Sequence, residues 1–341
     1  MPTFSGMRPL AIYTDPPKRP IVESPGFAKK ELADFHLDMV RVCEADCLYC
    51  STPATTNMRI MKDGLANQAL REYGRRMVPG DVGFTVRFHD FEHRVEEQLR
   101  SKPKDNSWGK GSTLMVSQFT DPYSPWLYQT GLTNRVLGRV FARTSFRVRI
   151  LTKFNLVAKP ENIEFLRAHA DRVVVGLSIG TLDDDWAARV EIGTSSPSAR
   201  IRALHAIQDA GIPAYGMLCP AFPDVLARDG VERLVAAIRP EKCETVWSEP
   251  FNDRNNWRRI ADTYDPGSPE GERLIGMFNG AGHSRKWSHY AVELYERVHA
   301  ALGEHAPKHR YLLYQDGMTL DTKGQMSGRQ GVLFQSVEKP S

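Results

Sequence analysis

The chain has 341 residues, 41% of them hydrophobic and 25% charged, which suffices for one large core or two modest ones and excludes disorder as the dominant state. A formal charge of +4 permits an anionic partner without requiring one. No apolar run is long enough to span a bilayer, and the first ten residues lack the apolar core of a signal peptide, so a cytoplasmic protein with no membrane partner is expected.

Residues 1–34 are rich in Pro and charge and read as an N-terminal extension. Residues 35–40 alternate as a strand and run directly into Cys43, Cys47 and Cys50. Three thiolates at this spacing can hold three corners of a [4Fe–4S] cluster and leave the fourth iron without a protein ligand. A zinc site would need a fourth ligand, and no Cys or His lies close enough after Cys50 to supply one. The other two cysteines, Cys219 and Cys243, are expected to be free thiols in a reducing compartment.

Further along, residues 55–110 read as an insertion, with helical stretches near 63–77 and 91–102 and a possible strand at 83–88. The middle of the chain then repeats a short apolar strand, an amphipathic helical stretch and a turn. Strands are expected at 36–42, 112–119, 146–153, 172–179, 213–219 and 244–250, with helices over 132–143, 160–170 and 196–210, the last ending at Gly211. The pattern predicts an α/β fold, a partial (β/α)6 TIM-type barrel over residues 35–251, with chemistry at the C-terminal ends of its strands. Residues 252–341 carry Trp257, Trp287, a helical run over 286–302 and a strand at 309–314, and are expected to form a C-terminal cap.

The cysteine run, with Tyr49 just before its last member, resembles the cluster loop of the radical S-adenosylmethionine (radical SAM) enzymes. That resemblance implies a [4Fe–4S] cluster on Cys43, Cys47 and Cys50, S-adenosyl-L-methionine as second cofactor, and an electron donor such as flavodoxin or ferredoxin. S-adenosylmethionine asks for a partner for its carboxylate, an acceptor for its amine and apolar walls for its adenine. The expected strand ends offer Thr120 and Asp121 for the amine, Lys153 for the carboxylate, Ser178 for carboxylate or ribose, and Pro220 as a wall for the base, with Tyr49 as a further cofactor contact. Each has a structural alternative: Thr120 and Asp121 make a good turn, Lys153 suits a solvated surface, and Ser178 can pair with backbone.

Taken together over 35–251, these stretches resemble the spore photoproduct lyase group and its DNA repair photolyase-like relatives. The matching features are the cluster loop, the Thr120-Asp121-Pro122-Tyr123 turn, Thr152-Lys153, Ser178-Ile179, and Glu191 followed by Ser196 to Arg200. The resemblance implies reductive cleavage of S-adenosylmethionine to a 5′-deoxyadenosyl radical that abstracts hydrogen from a nucleobase or nucleotide, free or in nucleic acid. The chain departs from the group at Gln118, which stands where the lyases keep a hydrogen-donating cysteine, and at Ser51, where they usually have tyrosine. Cys219, at the end of the fifth strand, is the alternative hydrogen donor or else a core thiol.

Trp247, Glu249, Asn252, Arg254 and Trp257 leave the sixth strand at the catalytic end, and their mix of aromatic, amide and guanidinium suits stacking and edge recognition of a base. The same set suits a peptide or a small metabolite, which keeps radical modification of those substrates as the alternative. A non-catalytic metal-binding nucleic-acid module is the rival from another class. It has no need of Thr120, Lys153 and Ser178 converging on the cysteines.

Overall fold

The computed structural model describes residues 10–227, 230–252, 256–314 and 317–335. Its strands are β1 (Leu10–Thr14), β2 (Val22–Glu23), β3 (Phe35–His36), β4 (Val40–Val42), β5 (Phe84–Phe88), β6 (Thr113–Val116), β7 (Arg147–Thr152), β8 (Val173–Ser178), β9 (Ala214–Ala221), β10 (Cys243–Pro250), β11 (His309–Tyr314) and β12 (Val332–Gln335). Nine of them form one sheet in the order β12-β11-β10-β9-β8-β7-β6-β3-β2. Every pairing from β3 to β12 is parallel, and only β2 runs antiparallel to its neighbour. Helices Leu132–Arg143, Pro160–Arg167, Pro197–Asp209, Gly230–Ala237, His283–Leu302 and Leu320–Met326 fall between successive strands from β6 onward, the βα alternation of a partial barrel.

The sheet is buried on both faces, so its strands read as continuous apolar runs. In β8, Val173, Val175 and Leu177 join the helical residues Leu137, Val140, Leu166 and Leu204 in the main core. The alternate residue Val174 meets Tyr215, Met217, Trp247, Leu312 and Leu32 on the other face. Gly176 lies on that inner face because a Cβ there would stand 2.4 Å from the Tyr215 ring.

Residues 24–34 fill the inner face rather than trailing from the barrel. The Lys30 carbonyl accepts from Trp247 Nε1 at 3.2 Å, the Glu31 carbonyl from Arg149 Nη1 at 3.0 Å, and Ser24 Oγ donates to Gln118 Oε1 at 2.7 Å. Ahead of them, β1 pairs with β5 of the insertion, and β5 with β4, in a separate three-stranded sheet.

Two expectations change in detail. The strand expected over 36–42 divides into β3 and β4, which join different sheets, because the chain turns at Asp38 to meet the end of β6. The tail after residue 251 does more than cap: β11 and β12 extend the parallel sheet, and the 20-residue helix His283–Leu302 packs behind them. The short β12 was not legible because its four residues sit between Gly331 and the chain end without a periodic run. Among the described residues, no helix is long and apolar enough to cross a membrane.

Candidate active site

Strand β4 delivers Cys43 into a loop fixed from several sides. Glu44 accepts from Arg87 Nη2 and from the Trp126 amide, both at 2.8 Å, so β5 and the helix Pro125–Thr130 grip it. Asp46, in the left-handed region at φ 46°, accepts from the Gly83 amide at 3.0 Å. Burial raises Asp46 to about 6, opposed by that amide. On the far side Cys47 forms an antiparallel bridge with Glu191, the Leu48 amide donates to the Val190 carbonyl at 2.9 Å, and the Gly193 amide donates to the Ala45 carbonyl at 3.1 Å. The approach at Gly193 requires glycine: a Cβ would lie 2.1 Å from the Glu44 carbonyl oxygen.

Cys43, Cys47 and Cys50 are half-buried free thiols. Burial, then the neighbouring Cys50 and Asp121, push the Cys43 thiol well up, and burial does the same to Cys47 against the attraction of Lys153. A bound cation would favour the thiolate forms of Cys43 and Cys47 against that burial. Among the described residues no three His, Cys, Asp or Glu side chains converge as ligands of one ion would. A cubane does not ask for that, since it presents separate irons to separate thiolates. Three half-buried free thiols on one loop are the donor type that such a cluster takes.

Beside the loop lies a closed polar network. Lys153, at the end of β7, donates to Ser178 Oγ at 2.6 Å and to Glu191 Oε1 at 2.9 Å. The Tyr49 hydroxyl donates to the same Glu191 oxygen, and fully buried Arg200 donates to Oε2 and, at 2.6 Å, to the Ser178 carbonyl. Ser178 Oγ passes its own proton to the Cys219 carbonyl at 2.5 Å. Burial alone would raise Glu191, but the charges of Lys153 and Arg200 outweigh it and hold the carboxylate at about 2. The network thus brings together Tyr49, Lys153 and Ser178 from the sequence. The pairing role of Glu191 and Arg200 was not legible, because nine residues apart they show no local spacing.

At the opposite strand ends, Asp121 is held by three donors: Thr152 Oγ1 at 2.6 Å, the Tyr123 amide at 2.9 Å and the Lys153 amide at 2.7 Å. It ties the end of β6 to the end of β7, and burial raises it against those bonds. Thr120 donates through Oγ1 at 2.8 Å and through its amide at 3.0 Å to Asp38 Oδ1, which also takes the Phe119 amide at 2.9 Å. Sequence reasoning missed Asp38, whose only signal was a carboxylate in an otherwise apolar strand run. His36 Nε2 stands 4.0 Å from Asp38 Oδ2; burial pushes the imidazole down and the carboxyl up, each opposed by the other's charge. Thr52, just past Cys50, donates to the Phe119 carbonyl at 2.5 Å and so joins this turn to the cysteine loop. Gln118 sits on the same turn with its amide oxygen engaged by Ser24.

Cys219 ends up half-buried beside Glu249, its thiol donating to Oε2 at 2.9 Å, and burial followed by that carboxylate raises it strongly. Pro220 follows at a close crossing, where a Cβ on Gly180 would meet the Pro220 carbonyl oxygen at 2.0 Å. Of the expected substrate residues, Trp247 lies away from the strand ends. Trp247 is 2% exposed in the inner core with the Arg149 guanidinium 4.6 Å from its ring, on the side of the plugging segment rather than at the strand ends. Its N–H faces the interior because the plug supplies the Lys30 carbonyl. Trp257 starts the helix Trp257–Ala261 and stacks on Phe278 at 6.5 Å, Asn252 follows β10, and Arg254 lies outside the described residues.

No family model matches the chain. It is 26% identical over 159 residues to the uncharacterized protein ORF301 of Acidianus two-tailed virus, covering 47% of this chain and 50% of that one. To the uncharacterized protein MJ0683 of Methanocaldococcus jannaschii it is 28% identical over 146 residues, covering 43% and 52%. The matches span about half the length of these relatives. Among solved structures, a cysteine-to-serine variant of spore photoproduct lyase matches with a TM-score of 0.55 and 12% identity over 88% of this chain and 81% of that one. A spore photoproduct lyase with bound AdoMet and dinucleoside spore photoproduct matches at 0.51 and 12% identity, over 82% and 76%. At that identity the likeness is one of fold: the chain is folded like spore photoproduct lyase.

Proposed function

We propose that the protein is a radical SAM enzyme acting on a nucleobase or nucleotide, free or in nucleic acid. The observation that carries the reading is the cysteine loop stitched to Glu191 and Gly193, with Lys153 and Ser178 at the neighbouring strand ends. A [4Fe–4S] cluster on Cys43, Cys47 and Cys50 would supply the electron that cleaves S-adenosylmethionine to the hydrogen-abstracting 5′-deoxyadenosyl radical. The chain's own residues bind and orient. Lys153 and Ser178 receive the carboxylate, Thr120 and Asp121 shape the turn that faces the amine, and Tyr49 and Pro220 wall the cofactor. Glu191 keeps the Lys153 ammonium in place through an ion pair shared with Arg200.

Gln118 cannot return a hydrogen atom, so Cys219, beside Glu249, takes that role in this reading, with Glu249 orienting the thiol. The substrate class is supported by the likeness to a fold whose solved representative holds a dinucleoside. An external donor such as flavodoxin or ferredoxin would reduce the cluster.

Anaerobic reconstitution tests the cofactor assignment. About four irons and four sulfides per chain are expected, and none after replacement of Cys43, Cys47 or Cys50 by Ala. Stoichiometric zinc with no iron–sulfur absorption would contradict it.

A further inference from the structure

The chain just past β3 carries a carboxylate of which only one oxygen serves the turn that faces the cofactor. Asp38 Oδ1 is saturated by the Phe119 and Thr120 amides and the Thr120 hydroxyl, yet Oδ2 is buried with no hydrogen-bond partner among the described residues. The same holds for His36 Nδ1 on the same face of the strand and for Ser117 Oγ at the end of the adjacent β6. A buried polar atom left unmade costs on the order of 1–3 kcal/mol, so three at neighbouring strand ends call for a partner from outside the described residues.

Next to them Phe119 is one of few large apolar side chains left exposed, at 39%, with its ring edge-on to His36 at 5.6 Å. It stands there because its backbone is held twice, by Asp38 and by Thr52 of the cysteine loop, while its side chain takes no part in either bond. An exposed aromatic face near a carboxylate oxygen that has no hydrogen bond and stands 4.0 Å from His36 Nε2 matches one kind of ligand: a planar heterocycle that carries an N–H on its edge.

We infer that Asp38 and Phe119 form the base-reading subsite, the ring stacking on Phe119 and an edge N–H donating to Asp38 Oδ2, with His36 as the wall behind. This deepens the proposed function, on whose substrate class it rests, and it names residues outside the segment that follows β10.

The test is equilibrium binding of thymidine, cytidine, adenosine and guanosine, and of N3-methylthymidine, to the anaerobically reconstituted protein with S-adenosylmethionine present. Asp38→Asn keeps an acceptor for the turn but turns the ligand-facing edge from acceptor to donor. Phe119→Ala leaves both backbone bonds in place. At least one nucleoside is expected to bind, with a tenfold or greater loss in each variant. If that nucleoside is thymidine, N3-methylthymidine should bind at least tenfold more weakly to the wild type and no more weakly than thymidine to Asp38→Asn.

Binding unchanged in both variants, or no binding of any of the four nucleosides, overturns the subsite. Formation of 5′-deoxyadenosine in the same samples reports on the radical chemistry separately. Its absence alongside variant-sensitive nucleoside binding would contradict the proposed reaction and leave the subsite standing.

Discussion

The two groups of strand ends are built on opposite principles. At the ends of β7 and β8, Lys153, Ser178, Glu191, Arg200 and Tyr49 satisfy one another, and the carboxylate is pinned in its charged form before any ligand arrives. At the ends of β3 and β6, Asp38, His36 and Ser117 each keep a polar atom with no hydrogen bond among the described residues, and the Phe119 ring is partly exposed. The difference teaches which side is preorganised and which is waiting to be completed. A site that must hold the same charged cofactor at every turnover gains from a fixed electrostatic frame, whereas a site that must choose its substrate gains from groups only the right ligand satisfies.

Breaking the closed side should cost most. Glu191→Ala leaves buried Arg200 and half-buried Lys153 without their counter-charge, and a loss of about 3–5 kcal/mol in urea-unfolding stability is expected. Glu191→Gln sharpens the point through pH. Since the folded carboxylate is held at about 2, below its ordinary 4.5, its contribution is complete above pH 4.5 and disappears as pH falls toward 2. The wild type should lose stability across that window more steeply than Glu191→Gln, and parallel curves would remove the pair from the account.

Lys153→Ala and Ser178→Ala should each weaken S-adenosylmethionine binding by about 1.5–3 kcal/mol, read by equilibrium dialysis, with the irons still bound. Unchanged affinity in both would reassign the closed side to structure alone. Gly193→Ala should cost about 1–3 kcal/mol, because its Cβ would strike the Glu44 carbonyl, and the strain should surface as reduced iron content after reconstitution. Smallest in stability is Cys219→Ala, about 1 kcal/mol for a half-buried thiol. Its diagnostic readout is product distribution: a shift supports hydrogen return from Cys219, and an unaltered distribution removes it from the mechanism.

Much of this was legible in order along the chain. The alternation of apolar strands with amphipathic helices located β6 to β10, and helix 132–143 matches its predicted span, since Leu132, Val136, Leu137 and Val140 recur at helical spacing. The cysteine spacing and the strand-end residues Lys153 and Ser178 were readable because loop chemistry follows strands closely in sequence. What stayed hidden depends on contacts distant in sequence. The pairing of Glu191 with Lys153 spans 38 positions and that of Asp38 with Thr120 spans 82. Trp247 looked like a strand-end aromatic, but residues 24–34, which read as an extension, fold into the inner face and take its N–H. Arg135 and Arg139, four residues apart on helix 132–143, are likewise committed to the distant Glu92.

The proposed reaction is formation of a substrate-directed adenosyl radical at these strand ends. Its most direct test is anaerobic incubation of the reconstituted protein with S-adenosylmethionine, a strong reductant and perdeuterated nucleosides or oligonucleotides, followed by mass analysis of the 5′-deoxyadenosine formed. The account predicts 5′-deoxyadenosine carrying deuterium from the nucleic-acid component, at a level that falls with Lys153→Ala. A fully reduced cluster that yields no 5′-deoxyadenosine would contradict it.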